Sequence, residues 1–275
     1  MPPPKIAIEP FFLAGAHGPL FCIHLYPSNA APKGNILYIH PFAEEMHKSR
    51  RMAALQARRF AAEGYSVLQV DLTGCGDSGG DFGDATWAAW LADAHCAYAW
   101  LSTKTEGSFT VWGLRIGASL AVEFANSLTH VDRLLLWQPV VNGEQFLNQF
   151  LRIKLASEML SGAQAQGGTK ELRFQLESGE SIEVGGYQLG PALAAGLITL
   201  KLADLQPRCA VEWIEVGGED SDQVSPASQR VIDAWRSAGV NMHTRTVGGE
   251  PFWVTQEISE CPRLIEVTVE VLRTL

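Results

Sequence analysis

Cysteine pairs, an excess of basic residues and long apolar runs are all missing from this sequence. Its five cysteines are an odd number and widely spaced, with no C-x-x-C pair, so neither a disulfide framework nor a metal site is indicated. Lys and Arg number 21 against 30 Asp and Glu, and the net charge of −9 argues against a nucleic-acid partner and against attraction to anionic lipid. No uncharged apolar run is long enough to cross a bilayer, so we expect no stable membrane insertion.

The first residues, MPPPKIAIEPFF, lack the basic start and apolar core of a signal peptide. Together with the unpaired cysteines, this predicts a reducing, cytoplasmic location. Hydrophobic residues make up 47% of the 275 residues, which is typical of a soluble globular protein. The length suits one large α/β domain with room for an inserted sub-domain.

Strand patterns alternate with helical patterns along most of the chain. Apolar runs rich in β-formers predict strands, and apolar residues at helical spacing predict helices. The strands are predicted at 19–27, 34–42, 66–72, 109–114, 131–140, 209–216 and 242–247, and the helices at 49–65, 85–104, 225–240 and 256–274. This alternation predicts a mostly parallel, doubly wound α/β sheet.

The alternation pauses between residues 143 and 206. Helical patterns at 143–160 and 190–205 flank a predicted hairpin at 171–189. We interpret 143–206 as a cap inserted above the sheet. The core domain would then consist of residues 1–142 and 207–275.

A tight strand-to-helix turn is predicted at Gly113-Leu-Arg-Ile-Gly117. Its glycine spacing is that of the G-x-S-x-G nucleophile elbow, in which the N–H after the nucleophile helps to form the oxyanion hole. The nucleophile position is Arg115. A guanidinium stays protonated and cannot attack a carbonyl carbon. Ser119 lies one helical turn further on, where a packing role is expected.

Five segments together resemble the α/β-hydrolase superfamily. They are His40-Pro41-Phe42, GYSVLQVDLTGCGDSGG, the GLRIG frame, GGEDSDQVSP and VGGEPFW. The loop GCGDSGGDFG together with GLRIGA resembles the exosortase A system-associated hydrolase 2 family, which is linked to exopolysaccharide and protein-sorting gene clusters. The resemblance implies an α/β-hydrolase fold with a cap and activity on ester, thioester or acyl substrates.

The resemblance also places the other two members of a catalytic triad. The acid falls on Asp222, four residues before a proline, with Asp220 as a rival. The base position falls on Pro251, which cannot move a proton, and Glu250 lies beside it. A triad acts as a unit, so loss of the nucleophile and the base should remove the mechanism. Arg115, Asp222 and Glu250 therefore mark a degenerate triad.

Two roles for Arg115 remain open. The backbone N–H groups of Phe42 and Ile116, the positive end of a helix and the guanidinium could together bind a carboxylate, phosphate or sulfate. Alternatively, Arg115 pairs internally with Asp222, Glu250 or Glu44. A buried guanidinium needs a partner, because an unpaired buried charge is very costly.

Two function hypotheses follow. The first, favoured by residue chemistry, is a pseudo-hydrolase that needs no cofactor and binds a small-molecule or acyl ligand. In one form of this hypothesis the ligand carries an anionic group that Arg115 holds. Trp253 is expected to contribute a wall of the pocket. The second is a non-standard hydrolase in which Cys75, His40 or a bound water replaces the elbow serine. His40 matches a superfamily position whose role is usually structural, and a homodimer is left open.

Overall fold

One eight-stranded sheet organises residues 5–160, 168–218 and 223–273, the parts of the chain that the computed structural model describes. The strands are β1 (Ile6–Gly15), β2 (Gly18–Pro27), β3 (Gly34–Ile39), β4 (Ser66–Val70), β5 (Ser108–Leu114), β6 (Arg133–Trp137), β9 (Ala210–Gly217) and β10 (Met242–Gly248). Their order is β1-β2-β4-β3-β5-β6-β9-β10. The β1–β2 and β2–β4 pairs are antiparallel and the rest are parallel. The predicted fold class is confirmed.

Helices cover both faces of this sheet. They are α1 (Ala43–Ala62), α2 (Trp87–Leu101), α3 (Ile116–Asn126), α7 (Pro226–Ser237) and α8 (Pro262–Arg273). The larger apolar core includes Trp90, Leu120 and Phe124 from α2 and α3. The second core includes Trp112 from β5, Phe60 from α1 and Leu264 from α8. Burial on both faces explains why the central strands are continuous apolar runs. Within the described ranges, no helix combines the length and the apolar character needed to cross a bilayer.

The segment between β6 and β9 is a separate group of small elements. It contains α4 (Gly143–Leu160), α5 (Thr169–Glu177), β7 (Ile182–Val184), β8 (Tyr187–Leu189) and α6 (Pro191–Thr199). Its ends are held together by an isolated antiparallel bridge between Asn142 and Lys201. The Gly143 N–H also donates to the Leu200 carbonyl at 3.0 Å. The segment thus leaves the sheet and returns to it at one place, and its interpretation as a cap at 143–206 stays a prediction.

The structure corrects the predicted hairpin at 171–189. Residues Thr169–Glu177 are helical, and only the strands β7 and β8 form a hairpin. Leu172 and Leu176 are one turn apart and both buried, so a helix places them on one face, whereas strand alternation would require the exposed Phe174 to be buried with them.

The first helix begins six residues earlier than predicted. It starts at Ala43 rather than at 49, with Phe42 at the N-cap and no side-chain cap hydrogen bond. Ala43 has a φ of 47°, a conformation that sequence patterns do not predict for alanine. Glu44 and Glu45 occupy the first turn, where acidic side chains interact favourably with the helix dipole. The last helix also differs, because it begins at Pro262 instead of 256.

Candidate functional site

The turn between β5 and α3 has the backbone of a nucleophile elbow. Arg115 has φ 58° and ψ −123°, which is strained for any residue other than glycine. Its N–H donates to the Trp137 carbonyl at 2.9 Å, and its carbonyl accepts from the Ala118 N–H at 3.0 Å. Residue 115 therefore lies at the apex of a strained strand-to-helix turn, as the elbow prediction requires of its central residue.

Two glycines allow this turn to form. A Cβ atom on Gly117 would lie 2.2 Å from the His40 carbonyl oxygen, and one on Gly113 would lie 2.5 Å from the Ala118 Cα. Real Cβ contacts are never this short, so strand and helix pack too closely here for any side chain. The glycine frame keeps the elbow although the serine is absent.

Backbone strain is concentrated around this turn. In the described part of the chain, Ala43, Arg115 and Gln138 are the non-glycine residues with positive φ, at 47°, 58° and 44°. They follow β3, β5 and β6, which are neighbours in the sheet. Such strain clusters at functional sites, and in open parallel sheets ligands bind beyond the carboxyl ends of the strands. The strained positions thus mark the candidate site independently of any motif.

Arg115 forms an ion pair with Glu45. Arg115 Nε donates to Glu45 Oε1 at 3.0 Å, and the two side chains are only 17% and 14% exposed. Burial raises the pKa of the Glu45 carboxyl above its ordinary value, and the charge and hydrogen bond of Arg115 oppose that rise. The guanidinium therefore has an internal partner supplied by the first turn of α1.

Among the described residues, the internal partner is Glu45 and neither Glu44 nor Glu250, two of the acids named from the sequence. Glu44 instead accepts a hydrogen bond from the Tyr187 hydroxyl at 3.2 Å. Glu250 is exposed and does not line the cavity at Arg115. Asp222, like Asp220, lies outside the described residues. The pairing expected for Glu44 or Glu250 is corrected to Glu45.

Two aromatic rings flank the guanidinium. The Arg115 Cζ atom lies 5.9 Å from the ring centroid of Phe146 on α4 and 5.4 Å from that of Trp253, both within the range of a cation–π interaction. A cavity of about 260 Å³ opens beside them. It is lined by Phe42, Ala43, Glu44, Glu45, Lys48, Arg115, Phe146, Gln149, Phe150, Ile153, Trp253 and Val254.

The residues expected to supply oxyanion-hole donors lie at two helix starts. Phe42 lines the cavity as the N-cap residue of α1, and its ring contacts Phe146 and Phe150 with centroids 5.3 and 4.9 Å apart. Ile116 is the first residue of α3 and is buried in the larger core. Its backbone N–H has no acceptor within the helix because it belongs to the first turn.

His40 lies beneath the elbow and contacts backbone groups. Its Nδ1 lies 2.7 Å from the Pro41 carbonyl oxygen, and its Nε2 lies 3.1 Å from the Leu72 nitrogen. The carbonyl requires a proton on Nδ1, so Nε2 accepts from the Leu72 N–H. Burial lowers the pKa of His40 and favours this neutral form. Both ring nitrogens are thus used to hold β3 against the chain after β4.

Cys75 lies apart from the cavity. Its side chain is buried, it does not line the cavity at Arg115, and burial raises the pKa of its thiol. A thiol that resists ionisation is a poor nucleophile. Ser119 is also buried, and its hydroxyl donates to the Val140 carbonyl at 2.7 Å. Neither side chain meets Arg115 in the pocket.

Two residues of this site were not identified from the sequence. Glu45 was overlooked because the helix was predicted to begin at 49, although the pair Glu44-Glu45 is a common signal for a first helical turn. Phe146 was not singled out, although Phe146 and Phe150 are one turn apart on an apolar helical face.

Comparisons with known proteins agree with this architecture. Residues 30–201 match the model of a protein family described as serine aminopeptidase, S33. The human protein ABHD12B is 32% identical over 114 residues, which are 39% of this chain and 30% of that protein. The match therefore spans less than a third of the human relative.

Solved structures extend the similarity to nearly the whole chain. Est1E from Butyrivibrio proteoclasticus, solved with bound ferulic acid, has a TM-score of 0.72 at 15% identity and covers 96% of this chain and 98% of its own. A highly thermostable carboxyl esterase from Bacillus coagulans, solved with glycerol, has a TM-score of 0.67 at 12% identity and covers 98% and 99%. At such low identity these two structures show a common fold. The family match, which covers more than half of the chain, shows that this protein belongs to the serine aminopeptidase S33 family and has the α/β-hydrolase fold.

Proposed function

We propose that this protein is a pseudo-hydrolase that binds a small acyl or anionic ligand in the cavity at Arg115. One observation carries the proposal. The elbow backbone presents a guanidinium, ion-paired to Glu45 and flanked by Phe146 and Trp253, in place of a nucleophile. The side chain that would react in an active relative is here a cation suited to hold a negatively charged group.

The triad mechanism lacks two of its parts. Arg115 cannot act as a nucleophile, and Pro251 stands where the base is expected. Among the described residues that line the cavity, none is a histidine. Since the base activates the nucleophile and the acid only orients the base, an acid at Asp222 would not restore turnover. Any residual acceleration would be limited to about 10³–10⁴ over the reaction in water.

The cavity offers one polar end and apolar walls. The Arg115 Nε is occupied by Glu45, while a guanidinium carries four further N–H donors on its two terminal nitrogens. Phe42, Phe150 and Ile153 supply apolar surface beside them. This division suits a ligand with an apolar body and an anionic group. The structural relative Est1E, which binds ferulic acid, is consistent with such a ligand in this fold.

Membership of a hydrolase family favours the second candidate, a non-standard hydrolase of esterase or thioesterase type. In this candidate a bound water, Cys75 or His40 would supply the nucleophile. The burial of Cys75 and the use of both His40 ring nitrogens by backbone groups speak against the two side chains. This candidate would belong to the exosortase A system-associated hydrolase 2 family, with its link to exopolysaccharide gene clusters. For both candidates we propose a cytoplasmic location and leave a homodimer open.

Turnover and covalent labelling separate the two candidates. Purified protein is incubated with p-nitrophenyl acetate and butyrate and with a fluorophosphonate probe, and an active carboxyl esterase serves as positive control. We expect no labelled serine and no turnover above that of Arg115→Met. Robust turnover or a labelled serine in the wild type would remove the pseudo-hydrolase proposal, and loss of that turnover in Cys75→Ala would establish the cysteine route.

A further inference from the structure

The charges of the described residues that line the cavity balance. Glu44, Glu45, Lys48 and Arg115 line it, two acids and two bases. The remaining described lining residues, at 42–43, on α4 and at 253–254, carry no charge. A ligand anion that entered this pocket alone would add an uncompensated charge to a mostly buried site, which is costly. The cavity is therefore poorly suited to a dianion such as a phosphate monoester.

The two carboxylate oxygens of Glu45 have different environments. Its Oε1 accepts from Arg115, whereas its Oε2 is buried and has no hydrogen-bond partner among the described residues. The neighbouring acid Glu44 differs, because it is exposed and accepts from the Tyr187 hydroxyl. Burial already shifts the Glu45 carboxyl toward its protonated form, and Arg115 holds it back. An anionic ligand on the terminal nitrogens of Arg115 shares the guanidinium charge and so weakens that restraint.

The apolar surface of the cavity continues to the protein surface. Phe146, Phe150 and Trp253 are buried in its wall, while Ile153 and Val254 are 51% and 55% exposed. Large exposed apolar residues at the edge of a pocket are typical of a path for an apolar ligand. A chain whose polar end lies at Arg115 can thus lie against aromatic rings and leave between Ile153 and Val254.

We propose, resting on the proposed function, that the pocket takes an apolar monocarboxylic acid together with one proton. The carboxylate binds the guanidinium of Arg115, and the proton is held by Glu45. The charges balance: Arg⁺ and Glu⁻ before binding become Arg⁺, ligand carboxylate and neutral Glu afterwards. Glu45 competes with the ligand carboxylate for the charge of Arg115, and protonation of Glu45 removes that competition.

This coupling fixes the direction of the pH dependence. A medium-chain carboxylic acid is fully ionised above about pH 6, so a change in affinity above that pH comes from the protein. Between the Glu45 pKa of the free protein and the higher pKa of the complex, Kd should rise up to about tenfold per pH unit. Glu44 and Lys48 also face the cavity. The control variants Glu44→Gln and Lys48→Met test whether either of them contributes to the pH dependence.

The test is calorimetric titration of the full chain with sodium octanoate from about pH 6 to pH 8. Measurements in phosphate and in Tris, which differ in ionisation enthalpy, give the number of protons taken up. Two ligands with the same alkyl chain length serve as controls: octanol carries no charge, and octyl phosphate carries a larger negative charge than octanoate. We expect octanoate to bind more tightly than both, with a net proton uptake of up to one, and more weakly as pH rises.

Variants test whether Glu45 takes up the proton and whether Arg115 binds the ligand carboxylate. Glu45→Gln keeps an acceptor for Arg115 but cannot ionise, so it should bind octanoate without proton uptake, at least tenfold more tightly near pH 8, and without pH dependence. Glu44→Gln should retain proton uptake. Arg115→Met should lose octanoate binding, and its far-ultraviolet circular dichroism shows whether it folds; Arg115→Lys serves if it does not.

The outcomes distinguish failure of the proton-coupled inference from failure of the proposed function. Octanoate binding that depends on Arg115 but involves no proton, or preference for octyl phosphate, overturns the proton-coupled inference and leaves the anion-binding function standing. Proton uptake that persists in Glu45→Gln also overturns it. Binding of octanoate that is unchanged in folded Arg115→Met overturns both proposals.

Discussion

Replacing one member of the Arg115–Glu45 ion pair should destabilise the protein far more than replacing both. The pair is 3.0 Å long and its side chains are less than a fifth exposed. At an effective dielectric constant near 20, charges about 4 Å apart attract by ~4 kcal/mol, and removing one member of a buried pair typically costs ~3–5 kcal/mol. Protonation of Glu45 limits the loss, so we expect Arg115→Met to lower the free energy of unfolding by ~2–4 kcal/mol at pH 7.5.

The double variant Glu45→Met/Arg115→Met should lie within about 1 kcal/mol of the wild type, because apolar side chains of similar volume replace buried pairs at little cost. Methionine and arginine share the strain of a positive φ, so the backbone contribution cancels. Urea denaturation of the wild type, both single variants and the double variant gives the coupling energy.

Repeating the double-mutant cycle at pH 5 tests the direction of the Glu45 pKa shift. Because the Glu45 pKa is raised, the lone carboxyl is more fully protonated at low pH and the cost of Arg115→Met should shrink. A coupling energy below about 0.5 kcal/mol at pH 7.5 would be that of a solvated surface pair and would refute the burial argument.

Two further predictions concern the framework. His24 is buried and hydrogen-bonded to Ser66, and burial lowers its pKa from 6.5 to about 4. The unfolded chain therefore binds this proton first as pH falls from 6.5 to 4, and stability should drop by up to ~3 kcal/mol from this group. In urea titrations His24→Gln should lose that part of the pH dependence, and parallel curves for the two proteins would contradict the assignment. Gly117→Ala should destabilise by ~3 kcal/mol or more, since its Cβ would lie 2.2 Å from the His40 carbonyl. Gly168→Ala, with open space around it, is the matched control and should stay within about 1 kcal/mol of the wild type in thermal unfolding; equal melting temperatures for both would argue against the close packing.

The sheet and the elbow were predictable because they depend on local patterns. Apolar runs bounded by turn residues predicted the parallel strands, and the spacing of Gly113 and Gly117 predicted the turn, whatever residue stands between them. The α1 start had one sequence signal, the acidic pair Glu44-Glu45, but it also depends on a positive φ at Ala43 and on a phenylalanine N-cap. Neither feature has a sequence signal.

The partner of Arg115 could not be predicted for a related reason. Several acids lie near the expected end of the sheet, and which one reaches the guanidinium depends on where the first turn of α1 lies relative to the turn that precedes α3. Glu45 is 70 residues from Arg115 in the chain, and its neighbour Glu44 points to Tyr187. Only the tertiary structure distinguishes two adjacent glutamates on one helix.

The elbow rests on Gly113, Gly117 and main-chain hydrogen bonds, none of which involves the side chain of residue 115. The conformation of this turn therefore depends on its main chain and its two glycines, whereas its chemistry depends on the side chain of residue 115. The scaffold can therefore carry a guanidinium or a hydroxyl at residue 115 without being rebuilt. Under the proposed function, a serine at 115 alone would not create a triad, because Pro251 stands where the resemblance places the base. A triad on this scaffold would thus need coordinated exchanges on two separate loops.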